Sequence, residues 1–117
     1  MSDEAERARI ARFLPRLERE LRELSQERER TSRDRDPVEL DQQSVGRLSR
    51  IDAMQAQQMA IAAERRRQVQ AERIQRALRQ MATGEYGFCA ACGEAIPVAR
   101  LEADPAAHLC VKCASER

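Results

Sequence analysis

The sequence predicts a mainly α-helical protein: a long antiparallel helical hairpin, or coiled coil, followed by a small C-terminal segment built around four cysteines. Three observations lead to this fold class. Apolar residues recur at helical spacing near the start of the chain, a second long run contains no proline, and every cysteine lies between residues 89 and 113. Only 3% of the 117 residues are aromatic and 35% are charged, which suits exposed helices better than a globular core.

The first helix is predicted from about residue 3 by an apolar seam. The seam consists of Ile10, Leu14, Leu17, Leu21 and Leu24, which alternate in steps of 4 and 3. This heptad spacing places one apolar stripe against a partner helix. Beyond it the same positions hold Arg28 and Thr31, so we expect the seam to weaken toward its far end.

Pro15 falls inside this first helix. A proline in a helix interior removes one backbone hydrogen bond and clashes with the preceding turn. We therefore expect either a kink near residues 11–14 or a break that leaves the residues before Arg12 as a separate turn.

The segment from Thr31 to Pro37 interrupts the helical pattern, and Pro37 disfavours helix at Asp36. We expect the tip of the hairpin near residues 33–42. A second helix should run from about residue 38 to 82, since this stretch has no proline and is rich in good helix formers. A glycine cap at Gly84 would end it.

The second helix offers inward positions that do not keep one strict heptad: Val45, Leu48, Ile51, Met59, Ala62, Val69, Ile74, Leu78 and Met81. An intermolecular coiled coil is the alternative to the hairpin. We favour the intramolecular hairpin, and hence a monomer, because the proline-bearing break lies where two antiparallel helices need a turn. The predicted domains are a helical arm, residues 1–83, and a C-terminal knob, residues 84–117.

Cys89, Cys92, Cys110 and Cys113 form two C-x2-C pairs separated by seventeen residues. This spacing is typical of a structural Zn²⁺ site with four thiolate ligands. The knob is too small to fold by burial alone, so metal binding should supply much of its folding free energy. The predicted fold class is therefore a helical hairpin followed by a four-cysteine zinc finger.

Other uses of four cysteines remain open at this stage. Two disulfides would need an oxidising compartment, whereas the chain opens without a basic and then apolar leader, so we expect a cytoplasmic protein. A redox C-x-x-C usually accompanies a βαβ pattern, and iron–sulfur clusters usually have different spacings. His108, the sole histidine, is a possible ligand, but four thiolates already complete the shell.

Charge and composition weigh against several function classes. The net charge is only +1, from 21 basic and 20 acidic residues, and the knob has more acids than bases, so direct recognition of DNA is not expected. One histidine and a closed metal site provide no evident nucleophile and base, so we do not expect an enzyme. No apolar run is long enough to span a membrane. A coiled-coil adaptor and a nucleic-acid-binding zinc module are two function classes that the composition leaves open.

Three blocks in the knob carry a family resemblance: residues 85–89 (EYGFC), 92–96 (CGEAI) and 100–105 (RLEADP). Together with the closing cysteine pair they closely resemble the zinc finger of the DksA/TraR family. The resemblance implies a bacterial transcription regulator that binds RNA polymerase rather than DNA. It also implies that a coiled-coil tip enters the secondary channel of the polymerase, through which nucleotides reach its active site.

The resemblance further implies an acidic tip. Family members carry two acidic residues three apart at this place, and Asp36 and Glu39 are similar, with Asp34 and Asp41 beside them. Asp52 lies nearer the family's distance from the first cysteine and is the reserve candidate.

Two more sets of positions follow from the same resemblance. In the family, a shaft arginine engages polymerase, and Arg66, between Arg65 and Arg67, stands at that position. Basic residues before the proline of the knob and after the last cysteine help bind the alarmone ppGpp, but here those positions hold Asp104 and Ala114. Because an acid repels a polyphosphate, we expect little or no dependence on ppGpp.

Overall fold

The computed structural model describes residues 3–36 and 46–116. Its helices are α1 (Asp3–Arg30), a short 3₁₀ helix (Ser32–Arg35), α2 (Arg47–Thr83), α3 (Val98–Ala103) and α4 (Val111–Ser115). In these two ranges the β structure is one isolated antiparallel bridge, between Phe88 and Ala95. The predicted fold class is confirmed: the protein is mainly helical, has long helices and gathers four cysteines in its C-terminal region.

Helix α1 continues through Pro15 without interruption, so the predicted alternative of a break before Arg12 is wrong. Phe13 and Leu17, on either side of the proline, are 1% and 0% exposed. Fully burying two such side chains stabilises the fold by roughly 1.5–3 kcal/mol each. This offsets the roughly 3 kcal/mol that an interior proline costs, so packing keeps the helix intact.

The end of α1 follows the prediction made from Pro37. The helix stops at Arg30, and after the 3₁₀ helix Asp36 has an extended backbone, with φ −64° and ψ 149°. A residue before proline is driven toward this conformation by contact with the proline ring. Thr31 stabilises the last turn by donating from its Oγ1 to the carbonyl oxygen of Glu27 at 2.9 Å.

Helix α2 spans Arg47–Thr83, and Gly46 precedes it. The predicted start near residue 38 lies outside the described residues. At its other end Gly84 adopts a left-handed φ of +81°. The backbone N–H groups of Glu85 and Tyr86 donate to the carbonyl oxygen of Gln80 at 2.9 and 3.2 Å, which completes the expected glycine cap.

The chain packs as two compact units. The finger unit combines the chain up to Arg22 with the chain from Ala71 onward, and the arm unit is Glu23–Gln70. The finger unit therefore contains the start of α1, the end of α2 and the whole cysteine-bearing segment. The predicted boundary between residues 83 and 84 stays a prediction about sequence segments.

All described residues that are buried and apolar lie in the finger unit. They are Phe13, Leu17, Ile74, Ala77, Met81, Tyr86, Cys89, Ile96, Leu101, Ala106, Ala107 and Leu109. The rings of Phe13 and Tyr86 meet at 6.3 Å with a tilt of 55°, a favourable geometry for an aromatic pair. Of the predicted inward positions, Ile74 and Met81 are confirmed here, and Leu78 is half-buried.

The arm unit has a different interior, since its one buried residue among those described is Glu64, at 6% exposure. The predicted inward side chains of this region are wrong, for they are exposed: Ile51 42%, Met59 73%, Val69 51%, and Ala62 as well. In this region helix α2 instead buries Glu64 and half-buries Arg50, Gln57, Ala60, Ile61, Ala63, Arg67 and Gln70. Val45 and the side chain of Leu48 lie outside the described parts.

The seam predicted for α1 is confirmed. Leu17 is buried, and Ile10, Leu14, Leu21 and Leu24 are half-buried. Among the described helices, none is both long enough and apolar enough to cross a membrane.

Candidate functional site

The first cysteine pair stands on a small hairpin in the finger unit. The backbone N–H of Cys89 donates to the carbonyl oxygen of Glu94 at 2.8 Å, and that of Gly93 donates back to Cys89 at 2.9 Å. A third bond, 2.7 Å long, runs from Ile96 to Gly87. Gly93 has a φ of +77°, which a glycine adopts without the steric cost that other residues incur.

The second cysteine pair opens α4. Cys110 is the residue before the first turn, and its Sγ accepts a 3.4 Å hydrogen bond from the backbone N–H of Cys113. The two cysteine turns are joined by a 2.8 Å bond from the N–H of Ala90 to the carbonyl oxygen of His108. His108 therefore contributes its backbone at the junction of the two turns.

The four thiols converge on one point. Their Sγ atoms all lie within 4.8 Å of one another, and those of Cys92 and Cys110 are 3.8 Å apart. A tetrahedral site with metal–sulfur bonds of about 2.3 Å has sulfur–sulfur edges of about 3.8 Å. Cys89 is buried and the other three are partly accessible, so the protein encloses the site from one side.

The acid–base chemistry of the thiols favours a cation at their centre. The backbone N–H of Cys110, followed by those of Cys92 and Ala91, holds the pKa of Cys89 at about 6. The neighbouring sulfurs of Cys110 and Cys89, with burial, raise the pKa of Cys113 to about 12. Cys89 is thus available as a thiolate at neutral pH, whereas each further thiolate is disfavoured by repulsion from the sulfurs around it. A divalent cation removes that repulsion, so these residues fit a metal ion, and the cluster is a metal site.

Arg9 of α1 holds the hairpin of the finger. Its Nη1 donates to the carbonyl oxygen of Tyr86 at 3.1 Å, and its guanidinium lies 5.4 Å from the centre of the Phe88 ring. Gly87, with φ +90°, permits this approach, because a Cβ there would lie 2.6 Å from Cδ of Arg9. The glycine is needed both for its backbone conformation and for the space that Arg9 occupies.

Two acids of the finger are paired with arginines of the long helices. Glu102 of α3 forms ion pairs with Arg12 and Arg16, the latter at 3.6 Å. Asp104 pairs with Arg73 of α2, and its Oδ1 accepts a 3.3 Å bond from the backbone N–H of Ala106. These two acids therefore attach the finger to α1 and α2.

The predicted tip residues lie at the described end of α1 or beyond it. Asp34, in the 3₁₀ helix, and Asp36 are both exposed. Gln57 of α2 donates from Nε2 to the carbonyl oxygen of Asp36 at 2.5 Å, which ties this segment to α2. Glu39 and Asp41 lie outside the described residues. Asp52, the reserve candidate, is exposed on α2.

The three predicted shaft arginines differ in their surroundings. Arg65 and Arg66 are exposed and available to a partner. The side chain of Arg67 is only 18% exposed, with Nε 3.2 Å from Oε1 of Glu64. Its Nη2 donates to Oγ1 of Thr31 at 3.0 Å, so Arg67 is committed to contacts inside the arm unit.

The polar cluster around Glu64 was not among the sites predicted from the sequence. Arg28 lies 2.6 Å from its Oε2, and Arg35 lies 3.6 Å from its Oε1. The contact with Arg28 lacks the N–H direction of a hydrogen bond, so it is an ionic contact. The available signal was the seam of α1 reaching Arg28 and Thr31, where polar residues require polar partners on α2.

Residues 84–117 match the protein family described as the prokaryotic dksA/traR C4-type zinc finger. The RNA polymerase-binding transcription factor DksA of Haemophilus influenzae is 43% identical over 42 residues, which are 36% of this chain and 29% of that protein. DksA of Escherichia coli K12 is 38% identical over 42 residues, 36% of this chain and 28% of that protein. An uncharacterized protein of Aquifex aeolicus is 49% identical over 43 residues, 37% of this chain and 30% of its own length. This chain thus covers less than a third of the length of each relative.

The described fold is similar to the structure of transcription factor DksA2 from Pseudomonas aeruginosa. The TM-score is 0.69 at 22% identity, and the likeness covers 97% of this chain and 84% of that chain. At this identity the likeness concerns the fold alone. The chain is therefore DksA-like in the sequence of its C4-type zinc finger and, separately, in the fold of its described parts.

Proposed function

We propose that this protein is a transcription regulator that binds bacterial RNA polymerase directly and acts through the acidic residues at the end of its helical arm. The observation that carries the proposal is the finger segment, which is 43% identical over 42 residues to an RNA polymerase-binding transcription factor. The fold likeness to transcription factor DksA2 supports it, because the likeness extends over 97% of this chain and so takes in both the finger and the long helices.

The metal ion of the site is Zn²⁺ in this proposal. Four thiolates are soft ligands, and a closed four-coordinate shell suits a structural zinc ion without an open position for catalysis. Zinc would hold the two cysteine turns together. The residues around them, Arg9 and Tyr86 above all, would then keep the finger against the ends of α1 and α2.

The arm divides the work between docking and regulation. Exposed Arg66, with Arg65, provides guanidinium groups suited to bidentate contacts with carboxylates of a protein partner. Asp36 and Glu39, flanked by Asp34 and Asp41, would enter the secondary channel and alter the electrostatics near the catalytic centre. Asp52 takes this place if the tip acids have no effect. The protein performs no catalysis of its own and works as a cytoplasmic monomer.

Direct binding of nucleic acid is less well supported. Stacking of bases needs exposed aromatic rings, but Phe13 and Tyr86 are each 1% exposed, and Phe88 lies beneath Arg9. Beside the finger, Arg12, Arg16 and Arg73 are paired with its acids, so these three arginines are not available for contacts with phosphates. An adaptor function also remains an outcome of the test below.

The decisive experiment is a binding assay between the purified protein and RNA polymerase core enzyme, with single-round transcription in parallel. We expect a stable complex and a changed lifetime of open promoter complexes. Arg66→Ala should weaken the complex, and Arg79→Ala, another exposed arginine of α2, is the matched control. Binding to a promoter fragment without polymerase would instead favour a nucleic-acid module, and capture of neither would favour an adaptor.

A further inference from the structure

The arm unit carries an ionic cluster where an apolar seam is expected. Three guanidinium groups, from Arg28, Arg35 and Arg67, surround the carboxylate of Glu64, whose side chain is 8% exposed. A buried carboxylate is tolerated only when it is paired. The cluster therefore restricts which part of α1 can lie beside this part of α2.

The apolar residues alone do not impose that restriction. The seam of α1 repeats leucine at positions 14, 17, 21 and 24, and a partner helix meets nearly the same surface after a shift of one turn. Shifting α1 by one turn in the arm unit would bring Leu24 to the place of Arg28. Glu64 would then face an apolar side chain, which is strongly unfavourable for a buried charge. A single polar residue in an apolar seam is known to fix register in this way.

The cluster extends to the segment that carries the acids. Arg35 lies between Asp34 and Asp36 in sequence, and its Nη1 donates to Oγ1 of Thr31 at 2.9 Å. Its Nη2 donates to the carbonyl oxygen of Arg28 at 3.2 Å. Arg35 thereby ties the 3₁₀ helix both to the end of α1 and, through Glu64, to α2.

We propose that Glu64 is a positioning residue: with Arg28, Arg35 and Arg67 it locks the register of α1 against α2 and so sets where Asp34 and Asp36 lie. The lock acts on the placement of the acids rather than on the surface that docks to a partner. Its consequence for transcription rests on the function proposed above. Its effect on the order of the 3₁₀ segment does not depend on that function.

The test replaces the ionic pair by an apolar one, Glu64→Leu with Arg67→Leu. Exchanging a buried ion pair for apolar residues often leaves stability unchanged or raises it. Arg28 and Arg35 lose their carboxylate but are 58% and 22% exposed, so we expect the helical melting temperature to change little.

Amide hydrogen exchange at residues 32–36 should nevertheless become about tenfold faster, since the segment loses the ionic contact of Arg35 with Glu64 and is left with the Gln57 hydrogen bond as its contact with α2 among the described residues. Gln68→Leu, at an exposed position of the same helix, is the control and should leave exchange unchanged.

Polymerase binding and transcription provide the second measurement. The leucine pair should retain affinity for polymerase within about twofold, because Arg66 is untouched, while its effect on transcription falls several-fold. If amide exchange at residues 32–36 is as slow in the leucine pair as in the unmodified protein, the proposed lock is wrong, regardless of the result with polymerase. If the unmodified protein does not bind polymerase, the proposed function is wrong, and the exchange result still decides the lock. Should the leucine pair lower helical circular dichroism, Glu64→Gln, which keeps the shape and one acceptor oxygen, is judged by the same exchange criterion.

Discussion

Tyr86 donates a 2.8 Å hydrogen bond from its hydroxyl to the carbonyl oxygen of Pro105, nineteen residues further along the chain. The tyrosine is 1% exposed, and its ring contacts Phe13 of α1. One side chain therefore joins the segment before the first cysteine pair, the segment before the second pair and the first long helix. The cysteine cluster and the tyrosine join the same two segments at different places.

This burial makes stability sensitive to alkaline pH. Desolvation raises the pKa of Tyr86 from 10.0 to about 12. Between those values the unfolded chain has lost the phenolic proton while the folded chain keeps it, so stability falls as pH rises. The full effect is about 2 to 3 kcal/mol, present below pH 10 and lost by pH 12. Because the chain has one tyrosine and no tryptophan, phenolate absorbance during a pH titration reports Tyr86 alone.

Tyr86→Phe is the matched variant for this titration. It keeps the ring against Phe13 but leaves the carbonyl of Pro105 without its donor, at a cost of about 1 to 3 kcal/mol at neutral pH. Its stability should then vary less between pH 10 and 12 than that of the unmodified protein. A phenolate transition near the ordinary value of 10.0 in the native protein would contradict the burial argument.

Comparing alanine variants of Gly87 and Gly93 distinguishes the cost of backbone strain from the cost of displacing Arg9. Gly87 and Gly93 both have positive φ, +90° and +77°, so alanine at either place costs about 1 to 3 kcal/mol through the backbone. A Cβ meets nothing within 4 Å at Gly93 but meets Arg9 at Gly87. We therefore expect Gly87→Ala to lower the melting temperature more than Gly93→Ala. Adding Arg9→Ala should recover part of the difference only in the Gly87→Ala background, a coupling that a double-mutant cycle measures.

Removal of one thiol should release the metal without melting the long helices. Cys92→Ser leaves three thiolates in a cluster whose sulfurs otherwise lie within 4.8 Å of one another. We expect the finger to obtain much of its folding free energy from the metal, whereas α1 and α2 keep their own seam. Bound zinc by atomic absorption should fall from about one per chain to near zero, with most helical circular dichroism retained.

His108→Ala is the control for this experiment. His108 joins the cysteine turns through its backbone carbonyl and is not a member of the metal-binding group among the described residues, so this variant should retain the metal. One zinc per chain retained in Cys92→Ser would refute the assignment of four cysteine ligands.

The sequence was most informative where one physical requirement dominates. Two C-x2-C pairs can bring four thiols together in few ways, and the structure places them as the spacing predicted. The leucines of α1 and the residue before Pro37 also behaved as predicted. In each case a local rule, either a spacing or a steric clash, determines the outcome.

The interior of the arm unit was not predictable in the same way. Met59 and Val69 were assigned inward because they are apolar, yet they are 73% and 51% exposed, while Glu64 is buried. A scale of hydrophobicity treats each residue alone, whereas Glu64 is buried because three arginines reach it, one each from α1, the 3₁₀ helix and α2. Likewise, two acids of the finger are explained by arginines far away in sequence.

Docking and regulation should be separable by mutation at the tip. Asp36→Asn with Glu39→Gln removes charge at the end of the arm and leaves Arg66 and the finger intact. Asp36 is exposed, and Gln57 donates to its backbone carbonyl oxygen rather than to its side chain. The substitution should therefore not destabilise the arm. We expect unchanged polymerase affinity and a loss of the transcriptional effect in vitro. If the effect persists, the tip assignment fails and Asp52→Asn is the next variant.

The finger has no cation at the two positions where the family binds ppGpp. A polyphosphate in an interface between finger and polymerase needs charge-assisted bonds to replace its hydration. At the two family positions this chain has Ala114, which offers no charge, and Asp104, which is paired with Arg73 and accepts from Ala106. Lys112 is exposed but stands elsewhere on α4. We therefore expect any effect on transcription to be largely independent of ppGpp.

Asp104→Arg with Ala114→Lys should increase sensitivity to ppGpp, measured by transcription in vitro with and without the alarmone at fixed protein concentration. Replacing Asp104 by arginine also removes the ion pair with Arg73 and brings two guanidinium groups together, so part of the effect of this variant is on stability. Asp104→Asn separates the two contributions, because it removes the acid and the ion pair without adding a cation. Sensitivity gained only in the doubly basic variant would show that added charge is responsible, because Asp104→Asn shares the loss of the ion pair. Strong synergy with ppGpp in the unmodified protein would mean that other cations complete the site, and the prediction would then be wrong.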